Sequence, residues 1–133
     1  MGFEVERFTP PRTWNWALIA PAGKSLPGAA RSAPAFSADL DSLRRALRQA
    51  AAAEPKTVLL AEEGGCLRFR ARSRLFGFPD HIDVQLLEPE PGRVSLAIFS
   101  RARYGLYDFG VNRRRARRWL RAVEAALDHA LER

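Results

Sequence analysis

Cysteine, lysine and histidine are scarce in this chain of 133 residues: Cys66 stands alone, Lys24 and Lys56 are the only lysines, and His81 and His129 the only histidines. A single cysteine excludes an intramolecular disulfide framework and points to a reducing compartment, so the expected location is the cytoplasm. With no activating neighbour in the sequence, Cys66 reads as a small buried hydrophobe. Two separated histidines and no third ligand at a recognisable spacing leave no metal site to expect, and no cofactor. His129, late in the last helix, suits the negative end of that helix. His81 lies one residue before Ile82 and two before Asp83. No window approaches the roughly 18 apolar residues of a membrane span, and the opening MGFEVERFTPPRTW has no signal-peptide core. Gly-rich phosphate loops, nucleophile elbows and zinc signatures are also missing. Ser100 has no identifiable base, and Glu62 and Glu63 fall in an expected turn, too open for a general acid. A catalytic role is therefore not the first expectation.

What the chain does have is arginine. Twenty-two basic residues oppose 15 acidic ones, for a net charge of +7. Arginine forks suit carboxylates and phosphates, and such a charge permits contact with nucleic acid or another anionic partner without requiring it. The densest information lies in Ser100–Trp119, SRARYGLYDFGVNRRRARRW. It reads as a strand, a Gly/Asp/Asn turn and a helix whose first turn carries Arg113, Arg114 and Arg115. Cations sit badly at the positive end of a helix dipole. Either a neighbouring acid compensates or an anion binds there.

The length fits one domain over 1–133. Residues 1–12 are expected as a loosely held arm. Trp14–Ala20 reads as a first strand ended by Pro21, and the small residues from Pro21 to Pro34 as a loop. Ser37 or Asp39 can cap a helix carrying Leu40, Leu43, Leu47 and Ala50 on one face, which Pro55 stops. Thr57–Ala61 is a short strand. From Cys66 to Arg74 the chain alternates, with Leu67, Phe69 and Ala71 on one face and Arg68, Arg70, Arg72 and Arg74 on the other. Ile82, Val84 and Leu86 face Val94, Leu96 and Ile98 across the turn at 88–92. Pairing Val84 with Ile98 and Leu86 with Leu96 satisfies both the turn and the apolar register. That register puts Phe99, Arg101 and Arg103 on the arginine side with Asp83. A final helix, capped by Asn112, carries Ala116, Trp119, Leu120, Val123, Leu127, Ala130 and Leu131 as its apolar stripe. The expected fold is a two-layer α+β domain in β-α-β4-α order, an antiparallel sheet packed on one face by the long C-terminal helix. The order is similar to TATA-binding-protein-like and helix-grip-like layouts.

Four blocks occur in order: Asn15 with WALIAP, APAF at Ala33–Phe36, RARSRLFGFPDHIDV at Arg70–Val84, and SRARYGLYDFGVN at Ser100–Asn112 followed by Arg115. Together they resemble the domain-of-unknown-function 1499 family over a core of about 15–120. The resemblance singles out Arg72, Arg74, Phe78 and Asp80, then Ser100, Arg101, Arg103, Gly105, Asp108, Gly110, Asn112 and Arg115. Tyr107 stands where relatives often carry serine. The family implies no reaction.

Two readings of these residues compete. In the first, Asp80, Asp83 and Asp108 pair with arginines to pin the strand ends and the start of the last helix, with Gly105 and Gly110 shaping the turn; this is a structural clasp. In the second, Arg72, Arg74, Arg101, Arg103, Asp108, Asn112 and Arg115 surround a small anionic or amphipathic ligand, or meet a partner. Nucleic acid on the arginine row ranks lower, because few aromatics interleave it for stacking. An apolar ligand between sheet and helix would be lined by Trp14, Trp16, Phe69, Phe99 and Trp119.

Overall fold

The computed structural model describes residues 2–23, 29–73, 77–105 and 108–131, with the side chains of residues 30 and 129–131 outside that description. The fold is α+β. The strands are β1 (Trp16–Pro21), β2 (Ala29–Ala33), β3 (Phe36–Ser37), β4 (Thr57–Glu63), β5 (Cys66–Arg72), β6 (Pro79–Glu90) and β7 (Arg93–Ala102). Helix α1 (Leu40–Ala52) lies between β3 and β4, and α2 (Val111–Leu131) closes the chain. The sheet runs β2-β1-β7-β6-β5-β4, with β3 paired to the start of β7.

The β6–β7 register pairs Val84 with Ile98 and Leu86 with Leu96, as the apolar pattern requires. The β-α-β4-α order does not describe the whole sheet. Part of the expected loop from Pro21 to Pro34 forms β2, which pairs in parallel with β1 and makes the sheet mixed. Its small side chains carry little strand propensity. The unpaired edge of β1 supplies the partner that propensity does not, and Ala33 is fully buried against it. Strand β6 also begins earlier than its apolar run, at Pro79, which places Asp80 on the sheet instead of in a loop.

Both helices cover one face. Asp39 caps α1 by accepting from the Ser42 N–H at 2.7 Å, and α1 then buries Leu43, Ala46, Leu47 and Ala50 against the sheet. Helix α2 buries Ala116, Trp119, Leu120, Val123 and Leu127, and the Trp119 ring meets Phe69 of β5 edge-on at 5.1 Å. Burying each such large side chain is worth about 1.5–3 kcal/mol.

Residues 2–8, expected as a loose arm, lie across the opposite face of the sheet. The Val5 N–H donates to Gln85 Oε1 at 2.8 Å, and Val5 packs with Ala20 and Ala97 in a second small core. Phe3 and Phe8 join Phe99 and Trp16, with ring centroids 5.1–6.1 Å apart in these contacts. The Cys66 thiol donates to the Phe3 carbonyl at 3.2 Å, and burial pushes its pKa up, away from thiolate chemistry.

Candidate functional site

Strands β1, β6 and β7, the start of β4 and helix α2 all present the same end of the sheet, so the connections there bring the motif residues together. They do not form one cluster. Alternation along β6 sends Asp80 and Ile82 toward the helices and His81 and Asp83 the other way. Along β7 it sends Ser100 toward the helices and Phe99 and Arg101 away. The sheet thus separates two polar networks.

The network on the helix face is buried. Asp108, not Asn112, receives the start of α2: its carboxylate accepts from the Gly110 N–H at 2.9 Å, the Asn112 N–H at 3.1 Å and Asn112 Nδ2 at 2.7 Å. The carboxylate thus sits at the positive end of the helix dipole, where negative charge is favoured. Asn112, expected as the cap, is instead the second helical residue and fully buried. Its Oδ1 accepts from Ser100 Oγ at 2.6 Å and from Arg115 Nη1 at 2.9 Å, and its Nδ2 also donates to the Asn15 carbonyl at 3.2 Å. Arg115 Nη1 reaches Asp80 Oδ2 at 2.8 Å. Asn15 extends the chain of bonds by donating to the Gly105 carbonyl at 2.6 Å. Gly105 and Gly110 hold φ values of 85° and 78°, where glycine is unstrained. Burial pushes the Asp80 carboxyl above its usual pKa, and the opposing pull of Arg115 does not reverse the shift.

On the other face, Asp83 is 4% exposed and lies between two arginines. Arg68 donates from Nε at 2.6 Å and from Nη2 at 3.2 Å, and Arg101 from Nη1 at 2.7 Å. The Arg101 guanidinium also sits 4.8 Å from the centre of the Phe99 ring. Burial pushes the Asp83 carboxyl up, but the hydrogen bonds from Arg68 and Arg101 outweigh it, and the pKa ends below the ordinary 3.8. An acid whose pKa falls on folding gives stability that is complete above its unfolded value and is lost as pH drops through the folded one. Replacing Asp83 with asparagine should therefore flatten the loss of stability between about pH 5 and pH 2, measured by urea unfolding across that range. An unchanged acid limb would contradict this assignment. His81 is held below its usual pKa by burial and by Arg101, Arg68 and Arg103.

Arg101 and Arg115, expected around one ligand, are therefore on opposite faces of the sheet, each already paired with an aspartate. Arg103 is exposed and contributes its backbone N–H to the Pro79 carbonyl. Arg74, Phe76 and Tyr107 lie outside the described residues, as does the His129 side chain. The aromatics proposed to enclose an apolar ligand are likewise divided. Phe69 and Trp119 are core on the helix face, Trp16 and Phe99 pack under the N-terminal segment, and Trp14 is exposed. The arginine row is interrupted too, since Arg68 is tied to Asp83.

Beside the buried network lies a cleft of about 760 Å³ between α2, the end of β5 and the start of β4, lined among others by Glu54, Thr57, Arg72, Arg114, Arg115 and Arg118. Arg118 grips Glu54 at 2.9 and 2.5 Å and holds that carboxyl below its usual pKa. Arg72 and Arg114 donate to the carbonyls of Gly77 and Phe109, at 3.0 and 3.1 Å. Among the described residues neither makes an ion pair with a carboxylate. Arg118 and Glu54 were not among the residues expected at a site, and Arg114 only as one of the first-turn cations. Positions 111, 114, 115 and 118 share one helix face by the i, i+3, i+4, i+7 rule, which was a signal for Arg118 but not for Glu54. Among the described residues no group of three His, Cys, Asp or Glu side chains is placed to hold a metal ion, and no helix is long and apolar enough to cross a membrane.

The profile of the family described as "protein of unknown function (DUF1499)" matches residues 12–123. The chain belongs to that family. The buried polar residues Asn15, Ser100, Asn112 and Arg115, and the half-buried Asp80, all fall within the matched segment of this DUF1499 protein. No curated protein matches the chain. The crystal structure of TTHA0849 from Thermus thermophilus is similar over 72% of this chain and 94% of that one, at 13% identity and a TM-score of 0.39.

Proposed function

We propose that this DUF1499 domain is a non-catalytic binding module whose cleft takes a small anion bearing phosphate or carboxylate groups. The observation that carries the reading is the pair Arg72 and Arg114, which line the cleft and have only backbone carbonyls as polar partners among the described residues. Four guanidinium groups border the cleft against the single carboxylate of Glu54, and Arg118 already occupies it. Guanidinium forks bind such anions in paired hydrogen bonds, and a partly enclosed site screens the attraction less than open water does. Arg115 contributes charge while remaining on Asp80. A nucleophilic role for Ser100 is disfavoured, because its hydroxyl proton is directed to Asn112.

The test is thermal unfolding in phosphate, pyrophosphate and citrate at constant ionic strength. A ligand at 100 times its Kd stabilises by about 2.7 kcal/mol, a shift of several degrees for a domain of this size. The double variant Arg72→Ala/Arg114→Ala should lose that shift while its own stability changes by no more than about 0.5 kcal/mol. Arg101→Ala should keep the shift. An equal shift in the double variant, or none in the wild type with any of the three anions, would refute the cleft as the site.

A further inference from the structure

The end of the molecule that carries the cleft also carries its exposed rings. Trp14 is 77% exposed, Phe109 78%, Tyr104 63% and Phe78 55%. They come from three connections: the lead into β1, the β5–β6 connection and the β7–α2 connection. They are neighbours in space. Phe78 and Tyr104 meet at 6.4 Å, Asn15 beside Trp14 is bonded to Gly105 beside Tyr104, and Trp14 shares a hollow of about 390 Å³ with Asp108 and Gly110, which flank Phe109. Large rings standing this far out of a protein surface, gathered at one end, mark an interaction surface.

Phe109 strengthens the point. Its φ is 55°, the left-handed region that disfavours side chains of its size. Asn or Gly would sit there without strain. The turn thus holds a strained backbone at a position whose ring is exposed.

Cations surround the rings. Arg12 and Arg113 border the hollow beside Trp14, and Arg103 adjoins Tyr104; all three are exposed. The one acid in the hollow, Asp108, is engaged by the amides of α2. The opposite end of the sheet carries six acids, Asp39 and Asp41 at the start of α1, Glu62 and Glu63 at the end of β4, and Glu88 and Glu90 at the end of β6, of which Asp41 and Glu62 pair with Arg44 and Arg48, and Arg93 stands at the same end. A molecule polarised in this way is turned by a negative surface so that its ring-bearing end approaches first.

We propose that this end docks peripherally on an anionic lipid bilayer, with Trp14, Tyr104 and Phe109 entering the headgroup region and Arg12, Arg103 and Arg113 set over lipid phosphates. Trp and Tyr favour that interface because one part of each ring system is apolar and the other hydrogen-bonds. Basic residues beside them add attraction to acidic headgroups. Single-stranded nucleic acid fits less well, since it asks for rings in succession along a backbone-tracking groove, and these rings stand on separate connections. The proposal concerns the rings and their flanking arginines, so it stands or falls separately from the cleft.

The experiment is cosedimentation of the whole chain with vesicles of phosphatidylcholine alone and of equal parts phosphatidylcholine and phosphatidylglycerol, with tryptophan emission read in parallel. Binding is expected with the anionic vesicles only. Trp14 is the exposed tryptophan, so emission should shift to the blue. Raising salt from about 50 to about 500 mM should release the protein, because the Debye length shrinks severalfold. The variant Trp14→Ala/Phe109→Asn keeps the backbone of residue 109 at ease and should melt as the wild type does. It should bind at least about tenfold more weakly, since the rings supply the buried apolar area. Wild-type protein left in the supernatant at low salt would overturn the proposal. So would undiminished binding by the ring variant, or an emission shift with polyuridylate and none with vesicles.

Discussion

Replacing Asp80 with alanine should destabilise the domain by about 3–5 kcal/mol, the cost of leaving a buried charge without its partner. The side chain of Arg115 is only 9% exposed and that of Asp80 13%, and 2.8 Å separates their charged groups. In the variant, Arg115 would keep Asn112 Oδ1 and a longer contact to Ser100 but no counter-charge. The direction of the Asp80 pKa shift adds a second expectation. An acid whose pKa rises on folding contributes stability that is present below its unfolded value of 3.8 and lost as pH rises through the folded value. At neutral pH the carboxylate is thus held at a net desolvation cost, and the pair stabilises less than its geometry suggests. Asp80→Leu/Arg115→Met should accordingly recover most of what Asp80→Ala loses. Urea unfolding at pH 7 measures both variants. A double variant no better than the single would show that the pair itself stabilises the fold.

Asn112→Leu should cost about 2–4 kcal/mol, although the leucine side chain has the same branching and number of heavy atoms. The residue is fully buried and makes four side-chain hydrogen bonds, to Ser100, Arg115, Asn15 and Asp108. Three of these partners retain other bonds: Arg115 keeps Asp80, the Asn15 carbonyl keeps the Ala102 N–H, and Asp108 keeps the backbone amides of α2. The Ser100 hydroxyl, fully buried, keeps only the 3.4 Å contact with Arg115. Most of the expected loss comes from stranding it, so Ser100→Ala added to Asn112→Leu should cost little more, or recover part of the loss. Additive losses would mean that the two side chains act independently.

These buried residues explain why the motif could be read from sequence while its chemistry could not. The β5–β6–β7 register was legible because each strand alternates cleanly and a one-residue slip would expose every apolar side chain. The Arg68–Asp83–Arg101 cluster follows from that register alone. Where Arg115 points is a different kind of fact. It depends on how α2 rotates onto the sheet, and Trp119 and Leu120, packed against β5 and its neighbours, decide that rotation. Once Trp119 is buried, Arg115 one turn earlier must face the sheet as well, on the side away from Arg101. The docked N-terminal segment had a signal of its own. Trp16–Pro21 shows no polar alternation, and a strand apolar on both faces needs cover on both. The helices cover one face. Phe3, Val5 and Phe8 supply apolar groups for the other, but charged neighbours hide their spacing. Strand β2 had no comparable signal, because alanine and serine make weak strands until an edge is offered to them.

The hydrogen-bond network of Asn15, Asp80, Ser100, Asn112 and Arg115 shares only Arg115 with the arginine-lined cleft beside it. A crystal structure with phosphate, from protein purified free of phosphate and sulfate, tests that separation most directly. The expected result is a phosphate held by Arg72 and Arg114 in the cleft, with Arg115 still on Asp80 and Ser100 still on Asn112. A phosphate between Arg101 and Arg103 on the other face would contradict it. So would one that draws Arg115 off Asp80, or a cleft that remains empty.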